Sequence, residues 1–145
     1  MKNILKLSAL LVLFYLSACN DDNELSKKEQ YIEMLTTTSW AHAVVTHGTD
    51  GDLSDQYADF IIAFSKTSST GYDGTFIVSN GGYAFPENAG KWKFNDNLTT
   101  ITLDSGRELE FELSKTNLML DFTVAPSGGR VEGISGQFTF ELQPL

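Results

Sequence analysis

Between residues 108 and 142 the chain alternates apolar and polar side chains with a period of two. No other feature limits its fold as much. Over 108–113, Glu108, Glu110 and Glu112 share one face and Leu109, Phe111 and Leu113 the other. Leu118, Leu120, Phe122 and Val124 repeat the pattern, as do Phe138, Phe140 and Leu142. Successive strand side chains point to opposite sides of a sheet, so each segment has one dry face and one wet face. Strands of this kind belong to antiparallel sheets, whereas the buried parallel strands of βαβ units read as continuous apolar runs.

From Ser39 onward, runs rich in Val, Ile, Thr, Phe and Trp are separated by Gly, Asn, Asp and Ser clusters. They predict strands at 39–46, 57–66, 74–79, 82–86, 90–95, 99–104, 107–114, 117–124 and 130–143. Pro86 leaves one strand or two open in the region 74–95. Most connectors are short, among them Asn80-Gly81, Asp104-Ser105-Gly106 and the step from Ser114 to Thr116. Short turns join sequential neighbours into a meander, while an immunoglobulin-like sandwich needs longer crossings. The expectation is therefore an all-β fold, an up-and-down antiparallel barrel of about eight strands whose closure removes exposed edges. Ahead of it, Ser26-Lys27-Lys28-Glu29 has the form of a capping box, and Ile32 and Leu35 follow at helical spacing. This predicts a short helix over 26–36, packed on the barrel so that Tyr31, Ile32, Met34 and Leu35 are covered.

The first eighteen residues have a different character. Lys2 and Lys6 precede an apolar run from Leu7 to Leu16, then come Ser17, Ala18 and Cys19. This is the order of a secretory signal: a positive start, an apolar stretch and small residues at the cleavage point. A ten-residue helix rises only about 15 Å, roughly half a bilayer core. The ending Leu16-Ser17-Ala18-Cys19 resembles the lipobox of bacterial lipoproteins. In that family the chain is cut before the cysteine, and both its thiol and its new amine are acylated. The resemblance implies a signal peptide at 1–18 and lipid attachment at Cys19. It also implies a membrane partner held through N-terminal acyl chains. Asn20, Asp21, Asp22 and Glu24 then form an acidic tether over 19–25, similar to the export tag of surface-exposed lipoproteins in some diderm bacteria. The expected location is the outer membrane.

Composition narrows the partners. The full chain has ten Lys and Arg against nineteen Asp and Glu, a net charge of −9. Loss of Lys2 and Lys6 with the signal leaves eight basic residues and a mature charge of −11. Such a chain has no basic surface with which to displace counterions from phosphates, so nucleic acid is excluded as a partner. A single cysteine excludes an intrachain disulfide. An apolar content of 41% rules out wholesale disorder.

The domain at 26–145 is similar to the small lipocalin-like lipoproteins of diderm bacteria. The likeness rests on the anchor, the helix, Trp40 opening the first strand and the meander. It also rests on Gly90-Lys91-Trp92-Lys93-Phe94, Leu103-Asp104-Ser105-Gly106, Gly128-Gly129-Arg130 and Gly136-Gln137-Phe138-Thr139-Phe140. One departure is Thr38, where lipocalins usually place a glycine two residues before the tryptophan. The resemblance implies a ligand-holding or interaction barrel.

Reactive chemistry finds little support in the residues. Gly133-Ile134-Ser135-Gly136-Gln137 begins like a nucleophile elbow but lacks its closing glycine. Gly81-Gly82 and Gly128-Gly129 lie between strands rather than before a helix, so they are not phosphate loops. His42 and His47 stand near Asp50, Asp52 and Asp55, but the spacing fails the calcium loop. Five residues apart, the two histidines would face opposite sides of a strand. No metal site, catalytic residue or cofactor is expected. Strand parity puts Arg107 on the inward side with Leu109 and Phe111, at the barrel mouth. Arg130 shares parity with Phe138 and Phe140 unless a bulge at Gly133 or Gly136 resets the register, and either arginine could instead pair with an acid of the chain or reach out to water. With Trp92 and Phe111 as walls, Arg107 or Arg130 would meet the head of a small apolar or anionic amphiphilic ligand. Twelve large aromatic residues between Trp40 and Phe140 could instead fill the interior. The expected function is thus a non-enzymatic, lipid-anchored binder of a small ligand. The alternative is a filled barrel serving as a structural or protein-interaction module, with docking on loops 47–56 or 67–73.

Overall fold

The computed structural model describes residues 26–68, 71–126 and 135–145. The signal, Cys19, the acidic tether and Arg130 lie outside the described residues. The described residues form one α-helix, α1 (Lys27–Thr36), and nine strands. These are β1 (Ser39–His47), β2 (Gly51–Asp52), β3 (Ile61–Lys66), β4 (Asp73–Ser79), β5 (Ala89–Phe94), β6 (Thr100–Leu103), β7 (Glu108–Leu113), β8 (Leu118–Val124) and β9 (Gly136–Pro144). Each long strand pairs antiparallel with its sequence neighbour, and β9 returns to β1. Eight strands therefore close into a barrel, with the two-residue β2 appended to the edge of β1.

Closure depends on a bulge. β1 pairs with β9 from Trp40↔Pro144 to His47↔Phe138, and the register shifts between Ala41 and Val44. His42 takes up the extra residue at φ 53°, a left-handed conformation uncommon outside glycine. The bulge exchanges the two faces of the strand, so Trp40 and His47 both point inward although seven residues separate them. On its other side β1 pairs with β3 only at Ser39↔Ala63 and Trp40↔Ile62. A short 3-10 turn, Ser54–Tyr57, and the residues after it fill the seam above that point. Leu53 N–H donates to the Val45 carbonyl at 2.8 Å, and Val45 N–H donates to Ser54 Oγ at 3.0 Å. Leu53, Tyr57 and Phe60 are buried there.

Two sequence expectations change. Strand 57–66 begins only at Ile61, because the 3-10 turn claims Tyr57. The segment 82–86 is not a strand but part of a connection folded over the barrel mouth. Asn80 and Gly82 both take positive φ, 56° and 55°, which breaks an extended run, and Pro86 cannot donate to a ladder. Ala84 and Phe85 point into the core from this connection. Strand 130–143 is described from Gly136 onward.

The helix forms where its capping box lies. Glu29 N–H donates to Ser26 Oγ at 3.3 Å, and Ser26 N–H donates to Glu29 Oε2 at 2.8 Å. Ser26 Oγ–H also donates to Glu29 Oε2 at 2.8 Å, and this bond first, then that from Ser26 N–H, holds the Glu29 carboxyl below its ordinary pKa. Ile32 and Leu35 are buried in the barrel end, and Trp40 Nε1 donates to the Leu35 carbonyl at 3.1 Å. The helix is thus a plug, pinned by the tryptophan that opens β1.

The other half of the interior is aromatic. Phe140 meets the rings of Tyr57, Phe60, Phe85 and Phe122 at centroid distances of 5.0, 4.9, 5.5 and 5.6 Å. Its neighbours come from β8 and both folded-in connections, so one ring of β9 ties distant parts of the chain together. Replacing Phe140 with Ala should cost about 3–5 kcal/mol in urea unfolding, the range for emptying a close-packed aromatic site. Replacing the exposed Tyr83 with Ala should change stability by less than about 0.5 kcal/mol.

Candidate functional site

The inward side chains leave almost no accessible surface inside the barrel. Phe60, Phe138, Phe140, Ile101, Leu109 and Leu120 are 0% exposed, and Phe85, Phe76 and Trp92 are 1% exposed. Phe111, Phe94 and Phe122 keep 8%, 7% and 4%. The described inward side chains thus pack closely on one another, as those of an eight-stranded barrel can.

The sequence-selected residues fall into two groups. Trp92 and Phe111 meet through Phe94, whose ring lies 5.1 Å from Trp92 and stacks on Phe111 at 5.2 Å. Tyr31 of α1 closes over Phe111 at 5.9 Å. Trp92 Nε1 donates to the Thr75 carbonyl at 3.1 Å and reaches the Ser65 carbonyl at 3.3 Å. That approach requires glycine at position 74, where a Cβ would stand 1.7 Å from the Ser65 oxygen. Both residues are buried: Trp92, 1% exposed, packs on Phe64 and Phe94, and Phe111, 8% exposed, lies between Phe94 and Tyr31.

Arg107 lies at the opposite mouth, inward as parity required. The turn before it is closed by Leu103 N–H donating to the Arg107 carbonyl at 2.9 Å, with Gly106 at φ 85°. Its guanidinium carbon is 5.7 Å from the Phe85 ring centre and 5.5 Å from that of Phe122. Nη1 donates to the Ala84 carbonyl, and Nη2 is 3.3 Å from Glu87 Oε2. The two side chains are only 13% and 22% exposed. The guanidinium thus fastens the 80–88 connection over the mouth, and its charge is already paired. Glu87 and Ala84, twenty and twenty-three residues upstream, are the partners that sequence reasoning missed. No local pattern joins them to Arg107.

His47 anchors the same end from β1. It is 2% exposed, while His42 is exposed, so the two histidines do face opposite sides. The His47 ring packs on Phe138 at 4.6 Å. Its Nε2 is 3.2 Å from the Ser135 carbonyl, and its Nδ1 lies 3.3 Å from Asp50 N and 3.0 Å from Asp50 Oδ2. An acid and a histidine near a serine invite comparison with a hydrolytic triad. Here Nε2 meets the main-chain oxygen of Ser135, so the contact holds the start of β9 against the turn after β1. Gly136 makes room for it, since a Cβ there would lie 2.6 Å from Nε2. Nearby, burial pushes the Tyr57 hydroxyl pKa above its ordinary value, against a smaller opposing effect of a backbone hydrogen bond at Ala84. Among the described residues no group of three or more His, Cys, Asp or Glu is arranged to hold a metal ion.

Open clefts lie on the outside. One, about 630 Å³, runs beside α1 and is lined by Gln30, Glu33, Met34, Thr37, Thr38, Lys115 and Pro144. Another, about 510 Å³, lies beside Arg107 along the outer faces of β7 and β8, with Glu108, Glu110 and Asp121 on its wall. Comparison with known proteins finds no family model that matches the chain and no curated protein similar to it.

Arg107→Met should destabilise the barrel by about 1–3 kcal/mol in urea unfolding, because it strands the Glu87 carboxylate in a half-buried position. Adding Glu87→Met to that variant should recover part of the loss, since the orphaned charge is then removed.

Proposed function

We propose that the protein is a lipid-anchored, non-enzymatic module of the outer membrane whose filled barrel displays loops and outer surface to a protein partner. The packed interior carries this reading. A ligand of drug size needs roughly 300 Å³ or more of pocket, and the aromatic residues that would line it are spent on one another. Arg107, the group best placed to receive an anionic head, is already committed to Glu87 and Ala84. The observations therefore favour the interaction module over the carrier of a small apolar or amphipathic molecule.

The anchor reading rests on the sequence around Cys19. A secretory signal followed by a lipobox-like ending accounts for a lone cysteine in an exported chain. Acyl chains contribute about 0.8 kcal/mol per buried CH₂, and several together hold a protein firmly at a membrane. No helix among the described residues is long and apolar enough to cross a membrane; the acyl chains supply the attachment in this account.

Native mass spectrometry of the membrane-extracted chain tests both halves. The expected mass is that of residues 19–145 plus acyl groups, with no small molecule retained. A stoichiometric co-purifying molecule would restore the carrier reading. Cys19→Ala should yield an unacylated chain, and an unchanged acyl mass in that variant would refute lipid attachment at this residue.

A further inference from the structure

The meander sorts its connections into two ends, and the charges are sorted with them. Helix α1, the 67–72, 95–99 and 114–117 connections and the C-terminus lie at one end. The 48–60, 80–88 and 104–107 connections lie at the other. Lys27, Lys28, Lys66, Lys93 and Lys115 all belong to the helix end, where they balance Glu29, Glu33, Asp73, Asp96 and Glu112. At the far end Asp50, Asp52, Asp55, Asp59, Asp104 and Glu108 are exposed. Arg107 at that end is paired with Glu87, and Lys91 of β5 lies level with Asp104, whose N–H donates to the Lys91 carbonyl at 3.0 Å. The barrel is therefore polarised along its axis, close to neutral at one end and strongly negative at the other.

The chain enters the barrel at the neutral end. Seven residue steps separate Cys19 from Ser26, a reach of at most about 25 Å even fully extended. A barrel held that closely cannot escape the field of the surface it is tethered to, which decays over about 8 Å at physiological salt. An anionic headgroup layer repels the body at 26–145, whose eight basic and sixteen acidic residues give a charge of −8, in most orientations. It repels least, and meets lysines, when the helix end faces it. Tyr72 lies at that end, 41% exposed, with the Lys28 ammonium 4.0 Å over its ring. An amphipathic ring beside flexible lysines suits the headgroup level of a bilayer.

We propose that the helix end docks on an anionic lipid surface, with Lys27, Lys28, Lys66 and Lys115 on the headgroup phosphates and Tyr72 among them. The acidic loops of the far end then point away from the membrane. This orientation rests on the lipid-anchor reading and adds to it the face that meets lipid.

The test uses the mature acylated chain in vesicles. The natural cysteine is blocked by acylation, so a single introduced cysteine can carry a fluorophore. Thr116→Cys, in the 114–117 connection, reports the helix end, and Tyr83→Cys reports the far end. In vesicles of phosphatidylethanolamine and phosphatidylglycerol bearing a headgroup quencher, the label at 116 should be quenched several-fold more than the label at 83. The difference should shrink toward parity in phosphatidylcholine vesicles. It should also shrink when Lys27, Lys28, Lys66 and Lys115 are replaced by Glu. Equal quenching at both positions in anionic vesicles would overturn the proposal. So would a difference that persists unchanged in neutral lipid, because the tether alone would then explain it. The neutral-lipid arm leaves the protein unaltered and so does not depend on the variant folding. Vesicle flotation reads the anchor separately: acylated wild-type chain that fails to float would overturn the anchor reading and this one with it.

Discussion

The pairing of β1 with β9 is the constraint on which the rest of the structure depends. Without it the meander would be an open sheet with two bare edges and an apolar face partly exposed. With it, the inward rows of eight strands converge on one axis, and the space they enclose is small enough for side chains to fill. The bulge at His42 lets one strand serve both halves of the barrel. It puts Trp40 under the helix plug at one end and His47 against Phe138 at the other.

Filling follows from the residues that arrive inside. Phe60 and Phe85 come from connections rather than strands, yet they pack against Phe140 as strand residues do. The two longest described connections are thus drawn inward and cap the barrel mouth. Arg107 and His47 then secure those connections by polar contacts at the rim. Polar groups at the rim are used to hold the cap over the closely packed side chains. The outside of the described barrel differs from end to end in charge.

Much of this was legible in the residues themselves. The strands from Thr100 to Leu142 follow the period-two pattern because each has a single wet face, and parity alone placed Arg107 inward. The capping box located the helix, and the apolar pair Ile32 and Leu35 indicated that it would pack. Less legible were the features that depend on contacts distant in sequence. Residues 82–86 carry the aromatic content of a strand, but Phe85 is wanted in the core from a loop. Tyr57 and Phe60 resembled the start of β3 for the same reason. An inward tryptophan at position 92 suits a pocket wall as well as a core, and its contact with Phe64 joins residues too distant in sequence for any local pattern to reveal.

A solid interior is the central claim, and the most direct measurement is titration with an environment-sensitive apolar dye such as N-phenylnaphthylamine, followed through energy transfer from tryptophan. The account predicts no saturable one-to-one binding, because Trp40 and Trp92 face packed side chains rather than an accessible lumen. Saturable stoichiometric binding with efficient transfer, weakened by a bulkier residue at Leu120, would contradict it.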